Sequence, residues 1–443
     1  MSLRTRMLSA GADGHFGMDD HYIDIGDREL WGGSSGFGLH GVDRRQHAYV
    51  IGKSGTGKST LLHNCIVQDI AAGRGVGVID PHGDLALELL NHIPSHRTDD
   101  VVYFDPASTE YPVGFNPLQN IPPEERHRSA SGIVSALKSI WRDSWGPRTE
   151  YILYAAVAAL QDVTDGSLLG VQRMLSDEGY RTWVTRQTKD LAVRRFWTHE
   201  FASYDDRFRR EAVAPIENKV GQLLMAAPVR NLLGQIRRKI DARFMMDDRR
   251  IFIANLAKGR LGEDKANLLG ALLVTSFQLA AMSRADIAEA EREDFFLYID
   301  EFHNFNTDSF NSILSEARKY RLCMTLSHQY IEQLPRALAA AVFGNVGSLI
   351  SFRVGEHDAG ILAREFGNGY TPSAFSGLGN HHVVAKLLEK GGHVEPFFGR
   401  TLPPILPNHG RREQIVRRSR EKYATPRHVV EGKLERWMNR ERF

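Results

Sequence analysis

One junction constrains this chain more than any other: the apolar run His47-Ala48-Tyr49-Val50-Ile51 empties into Gly52-Lys53-Ser54-Gly55-Thr56-Gly57-Lys58-Ser59-Thr60. This is a complete G-x-x-x-x-G-K-[ST] loop, with a strand pattern before it and a leucine-bearing helix pattern after it. Such a loop sits at the C-terminal edge of an α/β sheet, so it predicts an α/β chain with a parallel P-loop sheet flanked by helices. Successive backbone N–H groups curl around phosphate oxygens, the Lys58 amine reaches the β and γ oxygens, and the Ser59 hydroxyl ligates Mg²⁺. The helix from Ser59 to about Ala71 turns its positive end toward the same anion. The predicted cradle is Gly52, Ser54, Gly55, Thr56, Gly57, Lys58, Ser59 and Thr60, and the predicted ligands are ATP and Mg²⁺.

A second signal lies far downstream. Phe295-Phe296-Leu297-Tyr298-Ile299 is an unbroken apolar run that ends in Asp300-Glu301. It reads as a buried parallel strand with acids at the ligand edge of the sheet. Asp300 is predicted to hold the Mg²⁺ shell and Glu301 to orient or deprotonate a water. A base aimed at water points to hydrolysis rather than transfer to a bound acceptor, which disfavours a small-molecule kinase.

The sequence has 443 residues, enough for two or three domains. Its 56 basic residues nearly balance 54 acidic ones, so any nucleic-acid surface must come from local clustering. Eighteen histidines are present, none in H-E-x-x-H or beside paired cysteines, so no zinc centre is predicted. Cys65 and Cys323 read as small buried hydrophobes of a reducing cytoplasm. The most apolar stretch, Leu268 to Met282, is interrupted by polar residues and falls short of the ~20 residues of a membrane span. No signal core is evident, so the expectation is a cytoplasmic chain without a transmembrane segment.

Residues 1–45 read as an extended lead-in with a short strand around Tyr22 to Ile25. Residues 46–120 and 241–405 carry the strand signals of a nucleotide-binding domain. Between them, 121–240 shows helical periodicity and hardly any strand pattern, as an inserted all-α domain would. In the basic tail, 406–443, eleven basic residues face five acidic ones from Arg411 to Arg442, and Thr425-Pro426 opens a helix with Val429, Val430, Leu434 and Trp437 on one face. That face is expected to dock on a neighbouring subunit in preference to lying along DNA.

Three more signals sit at sheet edges. Asp80-Pro81-His82-Gly83-Asp84 closes a strand, and Asp84 is placed either to face nucleotide or to cap the helix from Leu85. Ser315-Glu316-Ala317-Arg318-Lys319-Tyr320 ends a helix, where Arg318 reads either as a solvated cation or as a finger reaching across a subunit boundary. Ser327-His328-Gln329 follows the next strand, where an amide can sense a γ-phosphate or hold a water.

The order of these elements resembles the FtsK/HerA superfamily of ring-shaped DNA motors, and within it the conjugative coupling proteins of type IV secretion systems. The resemblance runs roughly from Phe37 to Pro404 and includes Gly344-Asn345-Val346-Gly347-Ser348, Phe352-Arg353-Val354-Gly355 and Thr401-Leu402-Pro403-Pro404. It implies that 46–120 and 241–405 form a RecA-like motor domain around the all-α insert, in an ATP-hydrolysing hexamer that moves double-stranded DNA without regard to sequence, in company with relaxase or secretion-channel proteins. It also implies that Lys58 and Ser59 bind phosphate and Mg²⁺, Asp300 and Glu301 form the hydrolytic pair, Gln329 is a sensor and Arg318 acts in trans. Coupling proteins of this kind begin with a membrane anchor, and no such segment is read here, so either membrane contact comes through partners or the sequence starts after an anchor. Two other classes share this core: secretion ATPases that energise protein export or pilus assembly, and DNA-processing ATPases paired with nucleases. The latter carry an N-terminal β-barrel, for which residues 1–45 leave little room.

Overall fold

A computed structural model describes residues 22–30, 33–141, 145–237, 239–307, 310–367, 369–406 and 409–439; most of the N-terminal lead-in lies outside them. The strands are β1 (Tyr22–Leu30), β2 (Gly33–His40), β3 (Ala48–Ile51), β4 (Gly75–Asp80), β5 (Val101–Phe104), β6 (Ile251–Asn255), β7 (Phe295–Ile299), β8 (Leu322–His328), β9 (Ser348–Ser351), β10 (His382–Lys386), β11 (Leu388–Glu389), β12 (Gly392–His393) and β13 (Phe397–Thr401). All but the small β11–β12 hairpin join one 11-stranded sheet, in the order β2-β1-β13-β10-β9-β3-β8-β7-β4-β6-β5. From β9 to β5 every neighbouring pair is parallel. The strands from β10 to β2 pair antiparallel.

The parallel strands are buried on both faces, which is why they read as continuous apolar runs. Alternate residues feed two cores. Tyr49, Ile51 and Ile79 enter one, built with the helix Glu263–Ser283 and the insert. Val50, Val76 and Val78 enter the other, built with the helices Lys58–Ala71 and Asp84–Leu89. Glu263–Ser283 continues to Asp286 as a stretch long and apolar enough to cross a membrane, the only such one among the described residues; 72% of its most apolar window is buried inside the protein. Burial in a core accounts for its apolarity.

The lead-in contributes more than the sequence suggests. Beyond the predicted strand at Tyr22, β1 continues to Leu30 and pairs along its length with β2, extending the large sheet. Glycine hides these strands from a propensity reading. A Cβ at Gly38 would sit 1.9 Å from the Ile23 carbonyl oxygen, so the close approach of β1 and β2 requires glycine there.

Between Pro123 and Leu233 the described residues form helices and no strand. The helix Arg126–Ile140 packs on Glu263–Ser283, so the insert and the nucleotide-binding sheet share one continuous core. The tail departs from expectation, because its helices dock on their own chain. Ile415 and Ser419 of the helix Arg412–Tyr423 are buried, and Ser419 Oγ accepts the Tyr103 N–H of β5 at 2.8 Å. In the helix Arg427–Met438, Val430 and Leu434 are buried against the insert, and Arg173 donates to the Trp437 carbonyl at 3.1 Å.

Candidate nucleotide site

The phosphate loop leaves β3 at the C-terminal edge of the sheet, with β8 and β9 on either side. Its backbone is held from three directions. Gly52 N donates to the His328 carbonyl at 3.4 Å, Lys53 N to the Arg353 carbonyl at 2.8 Å, and His381 N to the Thr56 carbonyl at 2.8 Å. Thr56 Oγ1 closes the loop on the Lys53 carbonyl at 2.7 Å. Gly57 has φ 119°, and a Cβ there would lie 2.8 Å from His381 Nδ1, so both backbone and space demand glycine. Ser54, Gly55 and Ser59 are exposed, while Thr56 and Lys58 are buried. Thr60 follows in the first turn of the helix Lys58–Ala71. The exposed residues form the open face of the cradle.

The Lys58 ammonium donates to the Gly52 carbonyl and, at 3.3 Å, to the Lys53 carbonyl, folded back across the loop mouth. Burial holds its pKa below the usual lysine range, against the charges of Glu301 and Asp300. Asp300 and Glu301 extend from β7, one strand beyond β8, and are 7% and 5% exposed. Burial pushes the Asp300 carboxyl up to about 7, and the charges of Glu301 and Asp80 add to the effect. Carboxylates crowded in this way lack positive charge, and a divalent cation held by Asp300 and Ser59 fits that deficit. A bound Mg²⁺ would neutralise phosphate charge there.

Glu301 has φ 44°, a left-handed backbone that is rare for a glutamate. Its N–H donates to Asp300 Oδ1 at 3.0 Å, and its own carbonyl accepts from Asn304 N at 3.0 Å and Asn304 Nδ2 at 2.8 Å. The turn is therefore fixed on both sides. Gln329 Nε2 donates to Glu301 Oε1 at 3.0 Å. Oε2 has no hydrogen-bond donor among the described residues; His303 Nδ1 lies 3.4 Å away without the alignment of a bond.

The structure thus brings Lys58, Asp300, Glu301 and Gln329 to one edge. Arg318 stands at the other. It is exposed in the turn Ala317–Tyr320 that leads into β8, and its charge acts on His47 at the N-terminal end of β3. The seven residues of β8 separate it from Gln329 by roughly 20 Å. Asp84 does not cap its helix. The Asp80 carboxylate does so instead, accepting His82 N at 2.8 Å and Ala86 N at 2.9 Å, and Asp84 is exposed in the first turn. Sequence reasoning gave no role to His381, which braces the loop from a distant segment. Its φ of 64° is a tertiary property without a local signature.

No protein-family model matches the sequence, and no curated protein matches it. Solved structures do match. The plasmid coupling protein TrwB in complex with ADP and Mg²⁺ superposes with a TM-score of 0.61 at 14% identity, covering 90% of this chain and 99% of that one. The unbound bacterial conjugative coupling protein TrwB gives 0.60 at 15% identity, covering 84% and 88%. VirB4 of Thermoanaerobacter pseudethanolicus gives 0.57 at 12% identity, covering 88% and 98%. The chain therefore has the RecA-like P-loop fold that the conjugative coupling protein TrwB shares with VirB4.

Proposed function

We propose that this protein is an ATPase of the type IV secretion kind that forms a hexameric ring and drives double-stranded DNA through it. One observation carries the reading: the residues for binding and hydrolysis converge at one sheet edge, while the only finger candidate from the motif series, Arg318, lies at the opposite edge. A single protomer cannot bring Arg318 to its own phosphate site, whereas a neighbour in a ring can present it. In this reading Lys58 and the loop amides hold the phosphates, Ser59 and Asp300 hold Mg²⁺, Glu301 Oε2 takes the proton of the attacking water, and Gln329 positions Glu301. The likeness to proteins described as conjugative coupling proteins supports DNA as the cargo. Relaxase or secretion-channel proteins would supply the cargo and the contact with the inner face of the membrane.

The near-equal likeness to VirB4 favours one second reading, an ATPase that powers protein export or pilus assembly. The experiment that separates them is ATP hydrolysis with and without duplex DNA, across protein concentrations that span ring assembly and at two salt concentrations. A DNA pump holds phosphates without reading bases, so stimulation by any duplex should appear with assembly and fade with salt. A ring whose hydrolysis ignores DNA at both salts supports the export reading instead.

A further inference from the structure

Away from the nucleotide edge, His63, Glu88 and His92 place one ligand atom each within 4.8 Å of one another. They come from different elements. His63 lies on the phosphate-loop helix, Glu88 on Asp84–Leu89, and His92 on the short turn Leu90–His92 that continues it. Both imidazoles are almost fully buried, 3% and 6% exposed, and meet edge to face with centroids 4.6 Å apart. Glu88 is exposed at the rim.

The hydrogen bonds around Asn64 fix what His63 offers. Asn64 Nδ2 donates to the Pro403 carbonyl at 2.9 Å and the Leu402 carbonyl at 3.3 Å, and its Oδ1 accepts Ile405 N at 3.0 Å. With the amide oriented in this way, Oδ1 is an acceptor toward His63 Nδ1, 3.4 Å away. An Nδ1 proton satisfies that acceptor and leaves the Nε2 lone pair for a ligand. That Nε2 is buried and has no hydrogen-bond partner among the described residues. A buried imidazole whose remote nitrogen is protonated toward an oxygen, with the other lone pair free, is arranged as metal-ligating histidines are.

We infer that His63, Glu88 and His92 form a binding site for a transition-metal dication of the zinc type, distinct from the Mg²⁺ position at Asp300. Two imidazoles and a carboxylate are the donors zinc takes, with water in the fourth position. Bonds of about 2.1 Å place tetrahedral ligands roughly 3.4 Å apart, so the three side chains close on an ion by drawing together from a spread of up to 4.8 Å. A filled site would pin the phosphate-loop helix to the helix that follows the Asp80–Asp84 turn.

The test is calorimetric titration of the full chain with Zn²⁺ in saturating ADP and Mg²⁺, which keeps the Asp300 site occupied, followed by Co²⁺ absorption spectroscopy. Wild-type protein should bind one zinc and give the visible bands of four-coordinate cobalt. Glu88→Gln and His92→Gln should each weaken binding on the order of tenfold or more. His199→Gln, which alters an exposed histidine of the insert, should leave it unchanged. Equal affinity in either site variant, or no binding at millimolar zinc, overturns the site. The exposure of Glu88 removes misfolding as an explanation for a loss in that variant.

Discussion

Gln329 Nε2 holds Glu301 Oε1 at 3.0 Å, tying the residue that follows β8 to the second acid after β7. The bond occupies one carboxylate oxygen and leaves Oε2 without a hydrogen-bond partner among the described residues. Gln329→Ala should lower kcat on the order of tenfold to a hundredfold with little change in KM, since orientation is lost while phosphate contacts remain. Steady-state ATP kinetics decide this, and a rise in KM alone would place Gln329 in ground-state binding.

Glu301→Gln should keep ATP and Mg²⁺ bound and lose turnover by about 10²–10⁴-fold, because Asp300 and Lys58 are intact while the proton acceptor is gone. Lys58→Ala should lose binding itself. Equilibrium binding of a fluorescent ATP analogue, measured beside hydrolysis, distinguishes the two; normal hydrolysis by Glu301→Gln moves the lytic role elsewhere.

Arg318→Ala should bind nucleotide nearly as wild type and turn over on the order of 10³-fold more slowly. Mixing supplies the sharper measurement. Lys58→Ala subunits still present Arg318, so rings mixed with Arg318→Ala subunits should regain partial activity. Absence of recovery in confirmed mixed rings would assign Arg318 a structural role.

His47 is fully buried, and burial holds its pKa down at about 4, with the Arg318 charge acting in the same direction. Between pH 6.5 and 4 the unfolded chain takes up a proton here that the folded chain refuses, so this group's contribution to stability falls as pH falls through that window. His47→Asn tolerates the left-handed φ of 62° and removes the titration. Its melting temperature should drop less than that of wild type between pH 7 and pH 5, as thermal unfolding at the two pH values will show.

Asp69 is buried beneath Arg44, which grips it with two bonds of 2.8 and 2.7 Å, while Arg74 and the Tyr298 hydroxyl complete its shell. Asp69→Ala would strand the fully buried Arg44 charge and should cost about 3–5 kcal/mol. Denaturant unfolding measures it; a loss below 1 kcal/mol would mean that water reaches Arg44 in the variant.

What was legible in the sequence follows from how local each cause is. The phosphate loop is a contiguous stretch whose own glycines set its shape, and the buried parallel strands declare themselves because both faces are apolar. Gln329 was readable as a residue at a strand end, but its grip on Glu301 depends on β8 lying beside β7. Asp80 outcompetes Asp84 as the cap because the turn folds the earlier carboxylate back onto the helix, a geometry that composition does not reveal. The β1–β2 hairpin escaped in part because glycines required by close strand approach look like loop. The pairing of His63 with His92 joins two elements through tertiary packing and leaves no spacing motif.

The docking of the last two helices has a mechanical consequence. The insert is joined to the nucleotide-binding sheet where the chain enters and leaves it and along the packed helices Arg126–Ile140 and Glu263–Ser283. The tail adds a separate strap, running from β5 at the sheet margin, where Ser419 holds Tyr103, to the insert, where Arg173 holds Trp437. Any rocking of the insert against the sheet would have to break contacts at both places, so the strap stiffens the joint between the two.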